Sequence, residues 1–406
     1  MHLSYLSLKS IIWYLEPNSR IQLSQRSPAF KSIDFQDPLQ IEQLKINEHS
    51  LTINKTIYKL EVESSLGSRA IFDLDQLGSV DLTTVLEQRP EEILVDGRSF
   101  RWNGNSAVKL KDQSECEQIR QEAERISGIQ DGEEKDRALN RFRRRALIYQ
   151  GNFLRGYART NPTAPQVTMI QIPISYCIRL TVGNLHTEIV GYTLKLHDAI
   201  NYLARSLLGG RKNIKIRKLF LSCVGTIRIP ANLDLQFKHL EVRGVNTDKI
   251  VKAFQPLIEN LKDPLDIFEI IDKDFAQLTG PIYQSARLLV FNGTYQPYQL
   301  ADKRNIRFTS ALGIMEEYLG LYLDYWVNNR KEVGTCWTFE LDQESEARVF
   351  LGVIKKDGRA EQCEESSVTF PIDKSAEIYI YIQEIEIGGV EQRNRWELNF
   401  TVRAKS

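Results

Sequence analysis

The sequence predicts an α+β fold: a short N-terminal helical segment, a small antiparallel sheet, charged linking helices, a repeat-like α/β sheet, and a C-terminal helix with antiparallel strands. Three observations point there. Apolar residues keep a helical period up to residue 34 and a strand period from Leu39 to Val62. Four apolar strand segments then recur at similar spacing between residues 214 and 291. From residue 333 onward, strand-length apolar segments dominate. The expected divisions are 1–34 for the helices, 35–110 for the small sheet region, 111–155 for a charged helical connector and 156–406 for the α/β remainder.

Each element has a local reason. Residues 3–30, LSYLSLKSIIWYLEPNSRIQLSQRSPAF, read as two short helices joined at Glu16-Pro17-Asn18, because proline ends one helix and starts another. Leu8, Ile11, Ile12 and Leu15 share a face of the first, and Leu3 and Leu6 extend it. After Pro17, Arg20, Ile21 and Leu23 begin the second. Leu39 to Ile41, Leu44 to Ile46, Leu51 to Ile53 and Ile57 to Val62 read as a small antiparallel sheet, with Asn54-Lys55 as a turn. Ile93 to Val95, Asp96-Gly97 and Ser99 to Trp102 carry a second hairpin signal. Ser114 to Tyr149 is highly charged and reads as two solvated helices with a break near Gly128 and Gly132.

Beyond residue 167 come strand segments Val167 to Ile174, Tyr176 to Val182 and Thr187 to Tyr192, then a helix from Lys195 to Leu208 ended by Gly209-Gly210. Taking Leu219, Leu240, Ile267 and Leu289 as equivalent positions gives separations of 21, 27 and 22 residues, close to those of leucine-rich-like repeats. One such unit cannot bury its own apolar face, so stacked neighbours are expected to share a core through parallel strands. Asp248 to Leu261 would cover one of them as a helix. A helix from Ser310 to Asn328 opens the last quarter. Strands are expected at 333–341, 349–354, 368–372, 377–386 and 395–403.

Composition bounds the function. At 406 residues, 42% hydrophobic and 26% charged, the chain belongs to the folded globular class with room for two or three domains. Its 53 basic and 53 acidic residues cancel, leaving no global field for nucleic acid or an anionic membrane surface. No apolar run approaches the ~20 residues of a membrane span. Cys116, Cys177, Cys223, Cys336 and Cys363 are odd in number and lack CxxC spacing, which favours a reducing compartment, cytoplasm or nucleus, over a disulfide framework or a zinc site.

No catalytic constellation emerges. There is no GxSxG elbow and no HExxH, and His2, His49, His186, His197 and His239 are dispersed. Gly209-Gly210-Arg211-Lys212 follows a helix and enters a strand, the reverse of a phosphate loop, so a helix cap explains it better. The expectation is a non-enzymatic protein with no cofactor and no metal.

The spacing of Leu3, Leu8, Ile11, Ile12, Leu15, Pro17, Arg20 and Leu23, with Ser24, Arg26 and Phe30, resembles a degenerate F-box, with Leu3-Ser4 where the motif has Leu-Pro. Over nearly the whole chain, blocks such as LSYLSLKSIIWYLEPNSRIQLSQRSP, NYLARSLLGGRKNIKIRKLFL, IRIPANLDLQFKHLEV and LDYWVNNRKEVGTCWTFEL resemble, in order, the nematode family of F-box-associated domains of unknown function. That resemblance implies intracellular F-box C-like proteins that bring targets to a ubiquitin ligase, and it supplies no catalytic residue. Two readings follow. In one, those eight residues dock the small adaptor subunit of a cullin-RING ligase while residues 167–300 recruit a protein target. In the other, the helices are core and the chain is a standalone binding protein.

Overall fold

In the computed structural model the described residues are 5–64, 69–70, 92–96, 176–183, 186–223, 226–244, 247–259, 261, 263–271, 281–292, 303–309, 316–386 and 394–405. The charged connector, the segment 167–174, Ser99 to Trp102 and Leu3 lie outside them. The fold is α+β. Contacts group the chain into two units, Met1–Lys45 with Gly210–Val224 and Leu233–Ser406, and Ile46–Gly209 with Gly225–Asn232.

The first unit opens with three helices where two are expected: α1 (Tyr5–Tyr14), α2 (Pro17–Arg26) and α3 (Pro28–Asp34). A single device, used twice, separates them. Glu16 caps α2, its carboxylate accepting from the backbone N–H groups of Asn18 and Ser19, and Pro17 stands at the first helical position. Ser27 then caps α3, accepting from Phe30 N at 3.3 Å, with Pro28 following. Ile12, Ile21 and Phe30 are buried.

The helices lead into β1 (Leu39–Ile46), which neighbours β8 (Ile214–Cys223). Leu39 to Ile41 and Leu44 to Ile46, expected as separate strand segments, thus form one strand, and it extends the small sheet into a larger one. Glu42 meets Arg217 and Lys45 lies over Phe220, contacts that advance together along both strands as in a parallel pair. Parallel pairing continues through β10 (Leu235–Gly244), β11 (Ile267–Ile271), β12 (Leu288–Phe291), β13 (Asn305–Phe308) and β14 (Cys336–Leu341). The expected repeat is therefore present, with one shift in register. Leu240 pairs with Leu219 and with Phe268, and Phe268 with Leu289, so Phe268 rather than Ile267 holds the equivalent position.

Each early strand repeats one sentence of side chains. Ile41-x-x-Leu44-x-Ile46, Ile216-x-x-Leu219-x-Leu221, Phe237-x-x-Leu240-x-Val242 and Leu265-x-x-Phe268-x-Ile270 are all buried at the spelled positions. Strict alternation would send every second residue inward. The x-x step breaks it, leaving two consecutive residues on the side away from the core. The apolar positions pack under helices: Phe268 against Tyr283 of α6 (Pro281–Ser285), and Phe308, Trp337 and Phe400 against Tyr322 and Trp326 of α7 (Glu316–Asn328). Helix α5 (Thr247–Glu259) buries Ile250, Val251, Phe254 and Leu257 and packs on β10. Each fully buried side chain of this size contributes about 1.5–3 kcal/mol.

The antiparallel finish is as expected in β16 (Ser367–Pro371), β17 (Ala376–Glu386) and β18 (Asn394–Ala404), the last pairing with β14. A short β15 (Gln362–Cys363) flanks β16. The segment 349–354, expected as a strand, is instead part of helix α8 (Glu344–Lys355), which packs on β14 and β16–β18. Its buried residues Ala347, Leu351 and Ile354 keep helical spacing, and acids in its first turn and Lys355 in its last favour the helix dipole.

In the second unit, β2 (Ser50–Ile53) and β3 (Thr56–Ser64) turn at Asn54, whose φ is +55°, as the sequence predicts. Beside β3 run β6 (Tyr176–Val182) and β7 (His186–Gly191), antiparallel, with Arg179 Nε 2.5 Å from Glu63. A two-residue β4 (Arg69–Ala70) also pairs with β3. Strand β5 (Glu92–Asp96) pairs with β9 (Thr226–Pro230) and holds a buried Glu92–Arg228 pair at 3.1 Å. Helix α4 (Leu196–Leu208) lies on β9 and buries Leu196, Ile200, Leu203 and Leu207. Gly209 and Gly210 end it, Gly210 at φ +75°.

Candidate functional site

The side of the parallel sheet away from the apolar core carries a dense polar cluster. Lys218 Nζ lies 2.5 Å from Glu241 and 3.1 Å from Glu269, and His239 Nε2 lies 3.2 Å from the same Glu269 oxygen. Arg243 reaches back to Glu241 at 2.7 Å and covers the Phe220 ring. These residues come from three neighbouring strands, so sheet register alone assembles them. The hydrogen bond with His239, aided by Lys218, holds the Glu269 carboxyl down at about 2 against the opposing effect of burial. Burial works to lower Lys218, yet its bonds to the two carboxylates outweigh that and raise it.

The sign for stability follows. A carboxyl depressed from 4.5 to about 2 contributes stability that is full above pH 4.5 and lost as pH falls through about 2. Discounted for solvent screening, its contribution is about 1–2 kcal/mol. Urea titrations should show Glu269→Gln less stable than the parent by that amount at pH 5.5, with the gap closing below pH 4.5. A gap that stays constant down to pH 3 would contradict the assignment.

Farther along the sheet, Glu340 and Glu397 sit directly opposite each other on β14 and β18. Arg307 reaches Glu397 at 3.1 Å and Arg395 reaches Glu340 at 3.2 Å. Burial raises Glu340 in spite of both guanidiniums. Next to this pair, Thr338 donates to Asn399 at 2.7 Å.

At the x-x step the outward residues of β1, β8 and β10, with the approach to β11, line a groove of about 970 Å³. Its lining includes Glu42, Lys215, Arg217, Lys218, Lys238 and Asp266. Glu42 is paired with Arg217 at 3.2 Å and Asp266 with Arg287 at 3.2 Å.

The candidate docking residues divide. Ile12 is 0% exposed and Arg20 is 4% exposed, which removes both from any free surface. Arg20 is bound inside the fold: its Nε donates to Asp34 at 2.7 Å, and its other nitrogens donate to the carbonyls of Pro38, Asp34 and Asp37. Leu8, Leu15 and Pro17 are half-buried. Ile11 and Leu23 are exposed, as are Trp13 and Tyr14, which the helical-face reading left out. Their signal was available: two bulky aromatics at the end of the first helical pattern, three and four residues before Pro17. Arg211 of the glycine-rich stretch is also internal, paired with Asp34 and stacked 4.6 Å from the Phe35 ring. The capping account of that stretch holds at Gly210, and no phosphate loop forms. His197 is buried beside Asp198 at 3.7 Å.

Residues 195–343 match DUF3557, a domain of unknown function. No curated protein and no solved structure matches the chain. The DUF3557 stretch runs from α4 through β14 and so contains the parallel strands β8 and β10–β14 and most of the groove. Helices α1–α3 and strand β1 precede it. Among the described residues, no helix is long and apolar enough to cross a membrane.

Proposed function

We propose that the chain is a protein-interaction module that serves as the substrate-recognition subunit of an F-box-type cullin-RING ubiquitin ligase. In this reading the N-terminal helices take the adaptor subunit and the polar side of the repeat sheet takes the target. The observation that carries it is the division of labour on α1 and α2. Ile12 and Ile21 anchor them, while Ile11, Trp13, Tyr14 and Leu23 are 40% exposed or more. Large apolar side chains held in water on a well-anchored helical unit are a common mark of a partner site. The resemblance of this stretch to an F-box, and of the longer blocks to F-box-associated proteins of nematodes, supplies the kind of partner.

The second reading, a standalone non-enzymatic binding protein with α1–α3 as core, is favoured by the burial of Ile12 and Arg20. One experiment separates them. The full chain is co-purified with the ligase adaptor, alongside a variant carrying Ile11→Asp and Leu23→Asp. The first reading expects a one-to-one complex for the parent, its loss in the variant and a melting temperature unchanged within about 2 °C, since both positions are exposed. Absence of a complex with the parent chain leaves the standalone reading.

A further inference from the structure

The groove at the x-x step holds two cations that its own lining does not neutralise. Lys218 is committed to Glu241 and Glu269, and Arg217 to Glu42. Asp266 is already held by Arg287. Lys215 and Lys238 are exposed and have no ion pair among the described residues, and the remaining acid of the lining is the exposed Asp263. Neutral amides, Gln40, Asn213 and Gln236, surround the two lysines.

Their placement is specified by register. Gln236 pairs with Lys215 and Phe237 with Ile216, so Lys238 stands one strand over and two residues along from Lys215. With strands ~4.8 Å apart and a rise of ~3.3 Å per residue, the diagonal between the two stems is about 8 Å. In an extended chain, side chains two residues apart share a face and lie about 7 Å from each other.

We infer that this groove holds an extended acidic segment of a target protein, with two carboxylates spaced i and i+2 received by Lys215 and Lys238. The inference rests on the target-binding reading above and gives the target its chemistry. The amides around the lysines take the peptide backbone of that segment, as polar rims of protein interfaces do. The exposed Arg217–Glu42 pair is weak and leaves Arg217 able to turn toward a third acid.

The test uses the full chain and two fluorescein-labelled nonapeptides of identical composition, one centred on Glu-Val-Glu and the other on Glu-Glu-Val, in serine and glycine flanks. Net charge is the same, and only the face shared by the acids differs. Fluorescence anisotropy should show the first binding about tenfold more tightly. The preference should vanish in a Lys215→Gln, Lys238→Gln variant that melts like the parent, and persist in Lys212→Gln, an exposed lysine outside the groove. Equal affinities, no measurable binding of either peptide, or a preference unchanged in the double variant would overturn the proposal. So would a single-stranded oligonucleotide of nine nucleotides that binds more tightly than both peptides. The same titration on the Ile11→Asp, Leu23→Asp variant separates the two proposals. Peptide selectivity without adaptor binding leaves the groove standing alone, and adaptor binding without selectivity removes only the groove.

Discussion

Asp34→Ala should cost about 3–5 kcal/mol, among the largest effects of any single polar substitution in the chain. Asp34 is 0% exposed and stands between two guanidiniums. Arg20 donates to one carboxylate oxygen at 2.7 Å, and the other receives Ser24 Oγ at 2.5 Å and the Arg211 guanidinium. Arg20 and Arg211 are themselves buried. Burial pushes the Arg211 guanidinium down, with Asp34 acting against it. Without the carboxylate, Arg20 retains three carbonyl acceptors, whereas Arg211 retains, among the described residues, only the Phe35 ring and a long contact to Ser24 at 3.5 Å.

The loss is therefore concentrated at Arg211, which makes the effect non-additive. Adding Arg211→Met to Asp34→Ala removes the stranded charge and should recover a kcal/mol or more, about the coupling expected of contacting residues. Denaturant unfolding of the four members of this cycle measures both quantities. A loss below about 1 kcal/mol for Asp34→Ala alone would show that the cluster does not hold the helices to the start of β8.

That cluster also marks the limit of what could be read from the chain. Residues 20, 34 and 211 share no local pattern, and their meeting depends on the docking of α1–α3 beside β8. The repeat was legible because it is written locally: each early strand segment spells an apolar residue, two outward ones that are polar except at Ile267, then alternation. The error at Ile267 arose where the sequence Leu265-Asp-Ile-Phe-Glu-Ile270 offers two overlapping alternations, and only pairing with Leu240 chooses Phe268. Helix α8 was missed for a related reason. Val349, Phe350, Leu351, Val353 and Ile354 form an apolar run that resembles a strand, while the helical spacing of Ala347, Leu351 and Ile354 begins upstream of it. The groove was not legible at all. Lys215 and Lys238 become neighbours only through the β8–β10 register, and a lysine on a strand otherwise reads as solvated surface.

Ile12→Asp and Ile11→Asp, adjacent in sequence, should differ by several kcal/mol, and that difference decides what the opening helices are for. Ile12 is 0% exposed, so aspartate there forfeits the burial of a full apolar side chain and places an unpaired carboxylate in the packing of α1–α3. The expected loss is about 4 kcal/mol. Ile11 is 42% exposed, and its replacement should change stability by less than about 0.5 kcal/mol. Lost adaptor binding in the Ile12 variant would thus say nothing about contact, because a loosened helical unit loses any partner. Lost binding in the Ile11 variant, with an unchanged melt, would locate the contact on the exposed side of α1. Equal destabilisation of both variants would mean that α1 is buried on two sides, leaving Trp13 and Tyr14 too little free helix to serve as a handle.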